Sequence, residues 1–144
     1  MLQRTDNRQM LRGHPLFAAF DEQQFERLVG GAQLVHVKAG EFLFQRGDPA
    51  RAFFVLIHGQ VTLCMQSRAG EEKILAVIRP GKSFAEAVMF MQAPMYPVDA
   101  RAQEDSALIS VPGREFLAAL RESPDTCFKL LAIMSQHLQQ QVQE

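Results

Sequence analysis

Between Gln33 and Val111 the chain is a series of short apolar runs, each closed by a glycine or proline corner. Leu34-Val35-His36-Val37 runs into Lys38-Ala39-Gly40, and Phe42-Leu43-Phe44 into Arg46-Gly47-Asp48-Pro49. Phe53-Phe54-Val55-Leu56-Ile57 ends at His58-Gly59, Val61-Thr62-Leu63-Cys64-Met65 at Ser67-Arg68-Ala69-Gly70, and Lys73-Ile74-Leu75-Ala76-Val77-Ile78 at Arg79-Pro80-Gly81. Runs this short are too brief for helices, and corners this regular predict an all-β sandwich or barrel. One short helix interrupts the series over 84–91, where Ala85, Glu86, Ala87, Val88 and Met89 are helix-compatible. Strand pattern returns over 98–102 and 107–111.

The flanks carry a helical period. Leu11, Leu16, Phe17, Phe20, Phe25, Leu28 and Val29 recur at helical spacing, broken at Gly13-His14-Pro15. Asp21 followed by Gln24 is a capping-box pattern. After Pro112-Gly113 the chain is helical again, with a short helix over 114–121. A long one follows, with Ser123 as its N-cap and Pro124 in its first turn. It would be about 30 Å long at about 1.5 Å per residue. Cys127, Leu131, Met134 and Leu138 form a seam on it that suits a partner helix, or alternatively the helix is a single amphipathic one folded onto its own domain. The expected organisation is therefore N-terminal helices over 1–32, a β-roll over 33–112 and a short plus a long helix over 113–144.

Composition bounds the function. A net charge of -1 over 144 residues offers no basic field for nonspecific nucleic-acid binding. Two distant cysteines, Cys64 and Cys127, exclude a disulfide scaffold and a four-cysteine cluster within one chain, and both read as buried apolar residues. The polar start lacks an apolar signal core, and no run is long enough to span a bilayer. A cytoplasmic protein with reduced thiols is expected, with no membrane partner.

The glycine framework Gly40-Glu41-Phe42-Leu43-Phe44-Gln45-Arg46-Gly47-Asp48-Pro49-Ala50, with Phe53 to Val61, resembles the β-roll of the cyclic-nucleotide-binding superfamily. Arg79-Pro80-Gly81-Lys82-Ser83-Phe84-Ala85-Glu86 resembles the entrance of that family's phosphate-binding cassette. With Ser123-Pro124-Asp125 and a long helix beyond, the layout resembles the sensor half of CRP/FNR-type bacterial transcription regulators. The resemblance implies a jelly-roll (double-stranded β-helix) sensor domain followed by a dimerisation helix, acting as a homodimer. It implies DNA contact only through a reader domain absent from this chain, expected beyond the long helix.

In that family a glutamate takes the ribose hydroxyl and an arginine neutralises the phosphate. Glu86 matches the glutamate. Tyr96 stands where the arginine is expected, Pro97 where a Ser or Thr is expected, and Ala85 where the usual glycine is expected. Gln141-Val142 stands where a Thr–Ser pair meets the adenine of cyclic AMP. Losing a buried charged partner costs about two decades of affinity, so tight cyclic-nucleotide binding is not expected. Lys82 and Arg101 are the nearby cations that could substitute. The candidate effector pocket is thus Phe84, Ala85, Glu86, Met89, Tyr96, Pro97 and Arg101.

Phe84 to Met91 with Pro94, Tyr96 and Pro97, Leu11 to Phe17, and Glu72 to Leu75 are similar to the dissimilatory nitrate respiration branch of the family. That resemblance implies haem b and nitric oxide as ligands. Met89, Met91, Met95, Phe84, Phe90 and Tyr96 offer soft apolar lining for a porphyrin, or alternatively are simply core. His14 is the first axial candidate, because it matches a histidine of that branch, and His137 is the second; either also reads as a structural histidine, as do His36 and His58. No iron–sulfur cluster is expected, and no metal site formed by protein ligands alone. Two other classes compete. A genuine cyclic-nucleotide regulatory domain is opposed by the missing arginine. A cupin-like enzyme lacks its His-X-His pair, since His36 is followed by Val37-Lys38, and no nucleophile–base pair or phosphate-binding loop appears. A non-enzyme is expected.

Overall fold

The computed structural model describes residues 5–143, with side chains over 6–140. Gln141 and Val142 therefore fall outside the residues whose side chains are described. Three short helices open the chain: α1 (Thr5–Arg12), α2 (Pro15–Ala18) and α3 (Glu22–Gly31). The capping box forms as its spacing predicts. The Asp21 carboxylate accepts from Gln24 N–H at 2.8 Å, and the Gln24 side chain accepts from Asp21 N–H at 2.9 Å. Local signals of this kind need no tertiary partner, which is why they read directly from sequence.

Eight strands follow: β1 (Gln33–Val37), β2 (Phe42–Phe44), β3 (Ala52–His58), β4 (Val61–Gln66), β5 (Glu72–Ile78), β6 (Ser83–Phe84), β7 (Asp99–Ala102) and β8 (Ser106–Pro112). They form two four-stranded antiparallel sheets, ordered β1-β8-β3-β6 and β2-β7-β4-β5. This interleaving of distant strands is the expected jelly roll. Gly59 shows why the corners are glycine. Its φ is +98°, and a Cβ there would stand 2.7 Å from the Asp105 carbonyl oxygen and 2.2 Å from Ser106 Oγ.

Helix α4 (Glu86–Phe90) is shorter than the 84–91 expected, because Ser83 and Phe84 are a strand paired with Val55 and Phe54. Helices α5 (Gly113–Glu122) and α6 (Pro124–Gln143) close the chain. Ser123 caps α6, its hydroxyl accepting from Thr126 N–H at 3.3 Å. Two aromatic clusters hold the layers together. Phe17, Phe20, Phe53 and Phe116 tie α2 and α5 to β3, with centroids 4.8–6.4 Å apart. Phe44 meets Phe54 at 5.9 Å and Phe84 at 6.4 Å, joining the two sheets beside α4. Cys64 is buried, and burial pushes its thiol up to about 11, the inert apolar role expected of it.

Candidate functional site

The turn from β6 into α4 has an unusual backbone. Ala85 sits at φ 70°, ψ 4°, in the left-handed region where glycine is at ease. The chain makes this bend with alanine, where the resemblance implied glycine, and accepts the Cβ. Beside this bend lies a cavity of about 310 Å³ whose lining includes Phe44, Phe84, Ala85, Glu86, Tyr96 and Pro97. Its walls are mostly apolar, completed by Leu63, Ile78, Val88 and Val98.

Tyr96 is the organising side chain. Its ring stacks on Phe44 at 3.8 Å and 9°. Its hydroxyl donates to the Ala52 carbonyl at 2.7 Å and accepts from Ala52 N–H at 3.3 Å. Both capacities of the phenol are spent on β3, so at the expected arginine position stands a satisfied, uncharged wall.

Glu86 is the one carboxyl side chain lining the cavity. Burial pushes its carboxyl up, against the Ser83 hydroxyl hydrogen bond that pulls it down. Its Oε2 is buried without a hydrogen-bond partner. Leaving such an acceptor unmet costs about 1–3 kcal/mol, so the oxygen is poised for a donor.

Other expected site residues lie elsewhere. Arg101 is not in this cavity. In β7, Ala100 and Ala102 point inward, so strand alternation sends Arg101 to the outer face. There its Nε donates to the Gly40 carbonyl at 3.2 Å, and its guanidinium lies over Phe42 and 3.7 Å from Glu72. Lys82 is an exposed turn residue that does not line the cavity. Met89 is buried, but away from the cavity: a Cβ built on Gly113 would meet its Sδ at 2.2 Å, which puts it beneath α5. Met91 and Met95 are 77% and 54% exposed, and Phe90 joins Leu120, Leu130, Leu131 and Met134 in an apolar groove of about 270 Å³ between α4, α5 and α6. The Met/Phe stripe therefore does not converge on one pocket.

His14 is the N-cap of α2, its Nδ1 accepting from Leu16 N–H at 3.1 Å. Burial, with Lys82 and His137 nearby, lowers it to about 4. The two histidine candidates thus share one neighbourhood, although His137 itself is exposed. Cys127 is not on the open face of α6: its thiol donates to the Leu120 carbonyl at 3.1 Å, facing α5. The exposed stripe is Phe128, Leu131 and Leu138, with Met134 at its edge. Sequence reading missed Phe44, Ser83 and Val88 as lining residues. Inward alternation in β2 was the available signal for Phe44. Among the described residues no group of histidine, cysteine and carboxylate side chains forms a metal site.

A family model for the cyclic nucleotide-binding domain matches residues 34–123. The chain belongs to that family. The crystal structure of DNR from Pseudomonas aeruginosa is similar, with TM-score 0.93 and 34% identity, covering 99% of this chain and 63% of that one. The sensor domain of the transcriptional regulator DNR from the same organism matches with TM-score 0.83 and 34% identity, covering 96% of this chain and 93% of that one. Neuropathy target esterase sws of Drosophila melanogaster is 26% identical over 136 residues, which is 90% of this chain and 10% of that protein. The chain thus spans about a tenth of the curated relatives it matches. The likeness to DNR bears out the CRP/FNR-type sensor layout read from the sequence. Among the described residues no helix is long and apolar enough to cross a membrane.

Proposed function

We propose that this chain is the effector-sensing and dimerisation domain of a cytoplasmic CRP/FNR-type transcription regulator, without enzymatic activity, whose effector is not a cyclic nucleotide. The observation that carries this reading is the cassette cavity itself: it keeps Glu86 but has no cation in its lining, and Tyr96 fills the arginine position with its hydroxyl already bonded. A phosphate placed there would meet a carboxylate and no counter-charge. The likeness to a transcriptional regulator's sensor domain supports the regulatory role.

Helix α4 supplies a route from effector to output. Glu86 and Phe90 are one turn apart, so the first lines the cavity while the second reaches the α6 groove. Val88 lines both the cavity and a groove against α5, and Phe90 lies 5.8 Å from Phe116. A ligand that moves α4 therefore shifts α5 and α6 through packed side chains. In the homodimer this would reset two α6 helices against each other and reorient DNA-reading domains of the whole protein.

The resemblance also implies haem carrying nitric oxide as the signal. His14 does not fit iron as the domain stands. Its Nδ1 accepts a hydrogen bond, so in the neutral ring the proton is on Nε2 and that nitrogen has no lone pair to give. Ligation through Nε2 would need the other tautomer and would cost the α2 cap, about 1 kcal/mol. The cassette cavity, at about 310 Å³, is at the small end of ligand sites. A porphyrin would need that cavity to widen. Haemin titration followed by absorbance is expected to give the same Soret band for the unaltered chain and His14→Ala. A shifted band lost only in the variant would reinstate His14 as ligand. Cyclic AMP titration tests the main reading, and micromolar binding overturns it.

A further inference from the structure

We propose that the cassette cavity takes a compact, largely apolar molecule without negative charge, which presents an N–H or O–H donor to Glu86 Oε2. This deepens the reading of the domain as a sensor of something other than a cyclic nucleotide, and rests on it. Three features of the cavity point the same way. Its walls are aromatic and aliphatic, and the flat Phe44–Tyr96 stack closes one side. An apolar body of matching size gains from leaving water there. The polar request of the site is for a donor. Glu86 Oε2 is buried without a partner, and the Tyr96 hydroxyl is saturated by Ala52. Finally, the charge is of one sign. The two cations that could have balanced an anion are elsewhere, Arg101 on the outer sheet face and Lys82 on an exposed turn. The Ala85 Cβ adds bulk at the bend where glycine would leave the backbone bare.

The sequence supplies its own reporter. Tyr96 is the only tyrosine and there is no tryptophan, so intrinsic fluorescence reads this cavity alone. The test titrates the 144-residue chain with four probes that do not absorb where tyrosine does or can be corrected for: cyclohexylamine, cyclohexanol, cyclohexanecarboxylate and cyclic AMP. The amine and the alcohol are expected to saturate the Tyr96 signal, with the carboxylate at least tenfold weaker than the amine. Glu86→Gln, whose fold is checked by its thermal melt, is expected to weaken the amine about tenfold and leave the alcohol within about threefold. A carboxylate that binds as well as the amine, no saturation by amine or alcohol, or an unchanged amine affinity in Glu86→Gln each overturns the ligand class. The comparison of amine with carboxylate needs no variant. Micromolar cyclic AMP binding would instead overturn the sensor reading on which this one rests, so the two failures are distinct.

Discussion

Ala85 and His14 are small departures with measurable consequences. A non-glycine residue at positive φ costs about 1–2 kcal/mol, and glycine returns part of this as unfolded-chain entropy. Ala85→Gly is therefore expected to stabilise the domain by about 0.5–1 kcal/mol, raising its melting temperature by about 1–4 °C. A lower melting temperature would show that the Cβ makes packing contacts worth more than the strain. His14 acts through pH. Its folded value is about 4, lowered first by burial and then by Lys82 and His137, against about 6.5 for a free histidine. Below pH 6.5 the unfolded chain takes up a proton that the folded ring refuses. This contribution is thus fully present above pH 6.5 and lost as pH falls towards 4. Screening at a half-buried ring leaves about 1–2 kcal/mol of it. Asparagine caps a helix well and does not titrate, so thermal melts of His14→Asn should show a shallower loss between pH 6.5 and 4. Parallel profiles would assign the loss to other groups.

At the scale of elements, α6 has two unlike faces. Leu130 is buried and Cys127 is bonded to α5, while Phe128, Leu131 and Leu138 remain 58–71% exposed. Leu131 and Leu138 are two turns apart, so they form one seam with Phe128 beside it. A soluble domain rarely leaves such a stripe bare, which supports a partner helix there. Leu131→Asp with Leu138→Asp is expected to give a monomer by sedimentation velocity where the unaltered chain gives a dimer. A dimer mass in the double variant would move the interface elsewhere. The seam was legible in sequence as a period, but its direction was not. Only the docking of α6 on α5 shows that Cys127 turns inward and Phe128 outward. Arg101 teaches the same lesson for a strand. Its neighbours Ala100 and Ala102 fit either face, and a slip of one residue exchanges them. The pairing of β7 with β4 fixes the register and sends Arg101 outside.

For the whole molecule, the glycine corners and the change of period were enough to read a β-sandwich or barrel with flanking helices, and the family resemblance of the same segments implied the jelly roll and the sensor layout. These signals are local or repeat along the chain. The cavity was legible at Glu86, Phe84, Ala85, Tyr96 and Pro97, because these residues are close in sequence around one bend. Phe44 and Val88 were not, since they meet the cavity only after β2 and α4 pack. Met89 was placed wrongly for a related reason: on a one-turn helix each residue faces a different neighbour, and α5 claimed this one. The proposed picture is a cassette whose bend is kept and whose lining has no cation to meet an anion.

Calorimetric titration of the unaltered chain with cyclic AMP tests that picture most directly. The account predicts no saturable heat below about 100 µM, two decades or more of affinity being lost with the charged partner. A saturable heat with a Kd of a few micromolar or less would contradict it.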